Sequence, residues 1–104
     1  MKTIITSAGN QTDSAFDQRF GRAAWFCLLD EETGQTRFIR NEFADAAQGA
    51  GRKVVEKVAE LGVNRVISGD FGPKAKELLE QLNIQMVIIN DQATTVTDIL
   101  KKIK

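Results

Sequence analysis

Arg19 and Arg22 flank Phe20-Gly21 in the stretch Asp17-Gln18-Arg19-Phe20-Gly21-Arg22. Two further stretches put glycine where a helix is expected to begin: Gly49-Ala50-Gly51, and Gly69-Asp70-Phe71-Gly72-Pro73 followed by Lys74. A helix start offers unpaired N–H groups and the positive end of the peptide dipole. Glycine lets a charge approach those groups closely. With Arg19, Arg22 and Lys74 adding positive charge, the chemistry on offer is the holding of an anion.

Other chemistries are poorly served. The chain contains no histidine, which removes the commonest general base at neutral pH and the commonest metal ligand. Its one cysteine, Cys27, lies in the middle of an apolar run, where a buried inert thiol is expected, and it has no partner for an internal disulfide. Asp13, Asp17, Asp45 and Asp70 follow no metal-loop spacing, so no metal ligand is assigned and surface carboxylates are the default. Two-metal phosphoryl chemistry needs several carboxylates at one point. Met1 to Ala8 carries none, and Asp70 alone ends a central strand suitably. Each anion-binding piece also has a plainer reading. The glycine pairs can be tight turns, the arginines solvated charges, and Phe16 and Phe20 core plugs that pin a loop.

The elements that must position these groups are legible from periodicity. Residues 2–8 are rich in β-branched types and read as a strand, followed by a long loop through Arg22. Ala23 to Asp30 is almost continuously apolar, as in a strand covered on both faces. Glu31-Glu32-Thr33-Gly34 is a turn, and Thr36 to Asn41 a more polar strand that closes an antiparallel hairpin at the sheet edge. After a second loop, Glu42 to Gly51, residues Val54, Val55, Val58 and Leu61 recur at helical spacing until Gly62. Arg65 to Gly69 is a short buried strand. Pro73 opens a second helix with the stripe Ala75, Leu78, Leu79 and Leu82. Gln85 to Asn90 is the last strand. Thr94 or Thr95 caps a third helix bearing Val96, Ile99, Leu100 and Ile103, with Lys101, Lys102 and Lys104 at its C-terminal end.

The order β-β-β-α-β-α-β-α predicts an α/β domain over residues 1–104, with a mixed five-stranded sheet in the order 3-2-1-4-5 and helices on both faces. In such a sheet a ligand binds beyond the strand carboxyl ends, where the connections diverge. That point falls between the first and fourth strands. A chain of 104 residues suits one domain. Fourteen basic residues balance fourteen acidic ones, so no nucleic-acid partner is expected. No apolar run is long enough for a membrane span or a signal peptide, and the expected location is the cytoplasm. An oligomer is compatible with the edge strand, but nothing specifies one.

Asp17-Gln18-Arg19-Phe20-Gly21-Arg22-Ala23 resembles the D-x-R-F-G-R-A signature of the dinitrogenase iron–molybdenum cofactor biosynthesis family. Gly49-Ala50-Gly51 resembles its G-x-G, and Gly69 to Ala75 its G-x-x-G-P-K-A. The three motifs keep the family's order across nearly the whole chain. The resemblance implies a ribonuclease-H-like fold and a role in carrying or inserting an iron–molybdenum-type or other metal–sulfur cluster. It implies binding positions at Arg19, Phe20, Gly21, Arg22, Gly49, Gly51, Gly69, Gly72, Pro73 and Lys74, and cofactor-assembly proteins as partners. With no histidine, such a cluster would be held without histidine ligands. The expectation is a non-enzymatic carrier; the alternative is a small-molecule or phosphate-binding regulatory module using the same rim.

Overall fold

The β-branched N-terminal run forms β1 (Lys2–Ser7), in which Thr3 to Ser7 are all buried. The computed structural model describes residues 1–91 and 94–103; Lys104, expected to favour the end of the last helix, lies outside them. The remaining elements are β2 (Trp25–Asp30), β3 (Gln35–Arg40), α1 (Ala50–Glu60), β4 (Arg65–Ser68), α2 (Pro73–Gln81), β5 (Gln85–Ile88) and α3 (Val96–Ile103). The strands form one mixed sheet in the expected order, β3-β2-β1-β4-β5. β1 pairs antiparallel with β2 and parallel with β4, so its carboxyl end lies beside that of β4.

Both faces of the sheet are covered. Ile4, Phe26, Leu28 and Val66 pack under Val54, Val55 and Val58 of α1 and Ala75 and Leu79 of α2. Ile5, Cys27, Leu29 and Ile67 pack under Val96, Ile99 and Leu100 of α3. The alternation along β2 explains its apolar run: adjacent side chains enter opposite cores. The connections β3-α1-β4 and β4-α2-β5 both step the same way across parallel strands. One handedness therefore puts α1 and α2 side by side on the same face.

Two details of the chain ends of helices matter for the site. α1 begins at Ala50, inside the stretch expected to be loop, because Gly49 takes the left-handed conformation at φ 71° and its carbonyl already accepts from Lys53 N at 3.1 Å. For α3, Thr95 is the cap. Its hydroxyl accepts from Asp98 N at 3.2 Å, while the Asp98 carboxylate accepts from Thr95 N at 3.1 Å.

Candidate functional site: a cleft at the carboxyl edge of the sheet

The long loop after β1 crosses the sheet edge from one core to the other. Phe16 is buried in the α3 core and Phe20 in the α1–α2 core, so the residues between them are stretched over the strand ends. Backbone bonds hold that crossing in place. Asp17 N donates to Thr6 O at 3.1 Å, Gly69 N to Gln18 O at 3.1 Å, and Phe20 N to Asp70 O at 3.1 Å. Thr6 Oγ1 donates to Asp17 O and also lies 3.0 Å from Ser68 Oγ. The phenylalanines thus act as the expected core plugs. Phe20 packs against Phe71 with ring centroids 5.2 Å apart.

Three backbone segments meet around one cleft of about 450 Å³. Arg19, Phe20, Gly21 and Arg22 come from the loop. Gly49, Ala50, Gly51 and Arg52 come from the start of α1, and residues Asp70 to Ala75 from the turn into α2. Nine of the ten positions singled out in the sequence line this space. The tenth, Gly69, faces a neighbouring recess with Met86 and Ile88. A Cβ on Gly69 would meet Gln18 Cβ at 2.6 Å and Gln18 Cα at 2.9 Å, so this glycine lets the crossing loop sit on the end of β4. Gly21 has the matching task. A Cβ there would meet Gly51 N at 2.9 Å, which seats the loop directly on the first turn of α1.

Both helices point uncapped N-termini into the cleft. Neither Gly49 nor Gly72 has a capping side chain, and neither first turn contains an acidic residue. The amides of Ala50, Gly51, Arg52, Lys74 and Ala75 have no acceptor among the described residues. Five N–H donors and two positive dipole ends therefore line the cleft, and among the described residues around it Asp70 supplies the one carboxylate. Gly72, at φ 74° and ψ 157°, occupies a region essentially confined to glycine, and its own N–H is taken by Asp70 Oδ1 at 3.0 Å.

The cations at the rim are held to different degrees. Arg19 is clamped on Asp17 by two bonds, Nε to Oδ1 at 3.2 Å and Nη2 to Oδ2 at 3.1 Å. The side-chain hydrogen bond and then the charge of Asp17 raise its pKa further. Arg22 donates through Nη1 to Ala44 O at 3.0 Å and to Ala46 O, tying the second loop to the first. Lys74 is exposed at the α2 terminus. Arg52, in the first turn of α1, also lines the cleft and is not among the positions singled out in the sequence, although a helix opening after Gly51 already places it there.

The donor set is one of hydrogen bonds and charge. Cys27 is fully buried in the α3 core, away from the cleft. Among the described residues no three of His, Cys, Asp and Glu group to hold a metal ion.

The pattern of the dinitrogenase iron-molybdenum cofactor family matches the sequence over residues 1–104. The chain belongs to that family. It is similar in structure to the apo form of the orange protein from Desulfovibrio gigas, with a TM-score of 0.90 and 27% identity, covering 98% of this chain and 85% of that one. A putative NifB protein from Thermotoga follows at 0.83 and 29%, with the same coverage. An uncharacterized protein of Methanocaldococcus jannaschii is 29% identical over 85 residues, 79% of this chain and 70% of that protein. Among the family's motifs, the arginine-bearing one supplies the loop wall of the cleft and the two glycine motifs supply its helix starts. No helix among the described residues is long and apolar enough to cross a membrane.

Proposed function

We propose that this chain is a non-enzymatic carrier of an anionic metal–sulfur cluster or cofactor precursor, serving iron–molybdenum-type cofactor assembly in the cytoplasm. One observation carries the reading: two uncapped helix N-termini and the Arg19–Arg22 loop line a single cleft. The cargo would be held by the amides of Ala50, Gly51, Arg52, Lys74 and Ala75, with Arg52 and Lys74 as the exposed cations. No thiolate or imidazole would reach it from this chain. Such outer-sphere holding suits delivery, since release breaks hydrogen bonds and leaves no metal–protein bond to exchange. Cofactor-assembly proteins are the partners this role requires, and the ribonuclease-H-like classification belongs to the same family reading.

Anaerobic purification, with metal and sulfide analysis and a visible spectrum, tests it. The expected result is a coloured protein, or uptake of colour from a supplied thiometallate, that is lost in the Arg52→Glu/Lys74→Glu double variant. A colourless protein that takes up no cluster would count against the carrier role. The same amides also suit phosphate, which is the basis of a second reading as a phosphate-binding regulatory module. Thermal stabilisation by phosphate but not by thiometallate would select that reading. A saturating ligand at about 100 times its Kd adds roughly 2.7 kcal/mol to stability.

A further inference from the structure

A second recess, of about 500 Å³, lies beside the cleft on the other side of Arg19 and Arg22. Its lining brings together Trp25, Arg40 and Asp45 with those two arginines. Trp25 and Arg40 are direct cross-strand partners at the end of the β2–β3 hairpin, so an indole and a guanidinium stand side by side. Arg40 has no ion pair or hydrogen bond among the described residues. Arg22 is fixed through Nη1 by the carbonyls of Ala44 and Ala46, which leaves its Nε and Nη2 unengaged.

The walls are built rigidly. Asn41, only 4% exposed, donates through Nδ2 to Gly21 O at 3.0 Å and Ala23 O at 2.8 Å, and accepts from Phe43 N at 3.0 Å. It binds the loop carrying Arg22 to the loop carrying Asp45. A preformed recess avoids the ordering cost that a mobile surface would incur on binding.

We propose that this recess is a nucleotide site, distinct from the cargo cleft. Each part of a nucleoside phosphate meets a matching group. Arg22 and Arg40 suit the phosphate, since planar guanidinium forks pair with phosphate oxygens. Trp25 offers a half-buried aromatic face for the base. Asp45 supplies an acceptor for the ribose hydroxyls, the role a carboxylate plays in other nucleotide sites. The volume lies within the range of about 300–1,000 Å³ typical of small-ligand pockets. Because Arg19 and Arg22 line both spaces, an occupied recess adds negative charge beside the cleft. Nucleotide binding there opposes retention of an anionic cargo.

Trp25 is the only tryptophan and the chain has no tyrosine, so intrinsic emission reports on this recess directly. The test is titration of the whole chain with AMP, adenosine or inorganic phosphate, followed by Trp25 fluorescence and by calorimetry. AMP should quench saturably, with adenosine and phosphate each binding at least about tenfold more weakly, a difference of roughly 1.4 kcal/mol. Arg40→Gln, at an exposed edge position, should weaken AMP at least about tenfold, the loss expected for a charge-assisted bond, while Arg52→Gln/Lys74→Gln, which adds no negative charge to the cleft, weakens it far less. The last comparison separates this site from the cargo cleft, whose failure would not touch it. Quenching that never saturates up to about 10 mM AMP, weaker than any functional affinity on the usual scale, would overturn the proposal. So would quenching indifferent to Arg40→Gln, or phosphate binding as tightly as AMP.

Discussion

Single residues decide how closely the three segments of the cleft approach one another. Gly21 is the sharpest case, because a Cβ there would meet backbone atoms of Gly51 at 2.9 and 3.1 Å and backbone does not yield as a side-chain tip does. Gly21→Ala is expected to cost about 1–3 kcal/mol, the usual range for overpacking, and to weaken anion binding by pushing the loop off α1. Gly34→Ala provides the control. It strains a hairpin turn at φ 76°, costs about 1–2 kcal/mol, and should leave binding untouched. Chemical denaturation and ligand titration of the two variants separate them. Equal binding by both would show that the contact at Gly21 does not shape the site. Arg19 and Arg22, which the sequence left balanced between ligand contact and solvated charge, turn out to be partly committed to Asp17 and to the second loop. Asp17 lies two residues from Arg19 and so was within local reach, whereas the partners of Arg22, Ala44 and Ala46, lie more than twenty residues away and were not.

At the scale of elements, the three helices treat their N-termini differently. α3 is closed by the reciprocal Thr95–Asp98 bonds, whereas α1 and α2 are left open. Thr95→Ala should lower stability by about 1 kcal/mol, the usual value of an N-cap. The hydrogen bonds from the Thr95 backbone and hydroxyl lower the Asp98 pKa below the ordinary carboxylate range. A depressed folded pKa means that the contribution is complete above the unfolded value, about 3.9, and is lost as pH falls through the lower folded value. Acid unfolding of Asp98→Asn should therefore lack part of the wild-type slope in that window; identical slopes would refute the linkage. At α1 the opposite experiment applies. Arg52→Glu places a negative charge at an open dipole and should stabilise the fold by about 0.3–1 kcal/mol, while reducing affinity for anions. A variant that gains stability without losing affinity would show that the α1 terminus is not used for binding. Sequence periodicity located all three helices. α1 begins two residues earlier than its periodicity indicated, at Ala50 and not after Gly51, because a glycine's backbone sign is invisible in composition.

For the molecule as a whole, the loop from Ala8 to Arg22 behaves as part of the sheet. It is anchored in both cores by Phe16 and Phe20, and it is bonded to α3 as well as to β1 and β4. Phe16 N donates to Thr94 O at 3.0 Å, and Val96 N to Ser14 O at 3.0 Å. The backbone–backbone bonds within the second loop are short turns, such as Ala46 N to Phe43 O at 3.0 Å, and its longer ties run through the Arg22 and Asn41 side chains. Native-state hydrogen exchange should show Phe16, Asp17 and Phe20 amides protected to a degree approaching that of β1, and the amides of residues 47–49 exchanging rapidly. Rapid exchange throughout residues 16–20 would show that the cleft wall is not preformed.

From the chain alone came the strand order, the both-faced cover of the second strand, a cap for α3 at Thr94 or Thr95 and, through the family resemblance, nearly all the cleft positions. The elements themselves depend on periodicities and turn residues that act within a few positions of one another, so that information is local, and the strand order follows from them through the fixed hand of the crossovers. What the tertiary structure decided was which donors remain unpaired, which arginines are already engaged, and that Gly69 serves packing against Gln18. It also showed the Trp25–Arg40 recess. These depend on contacts between residues distant in the chain, and local pattern does not encode the distance or direction of such contacts.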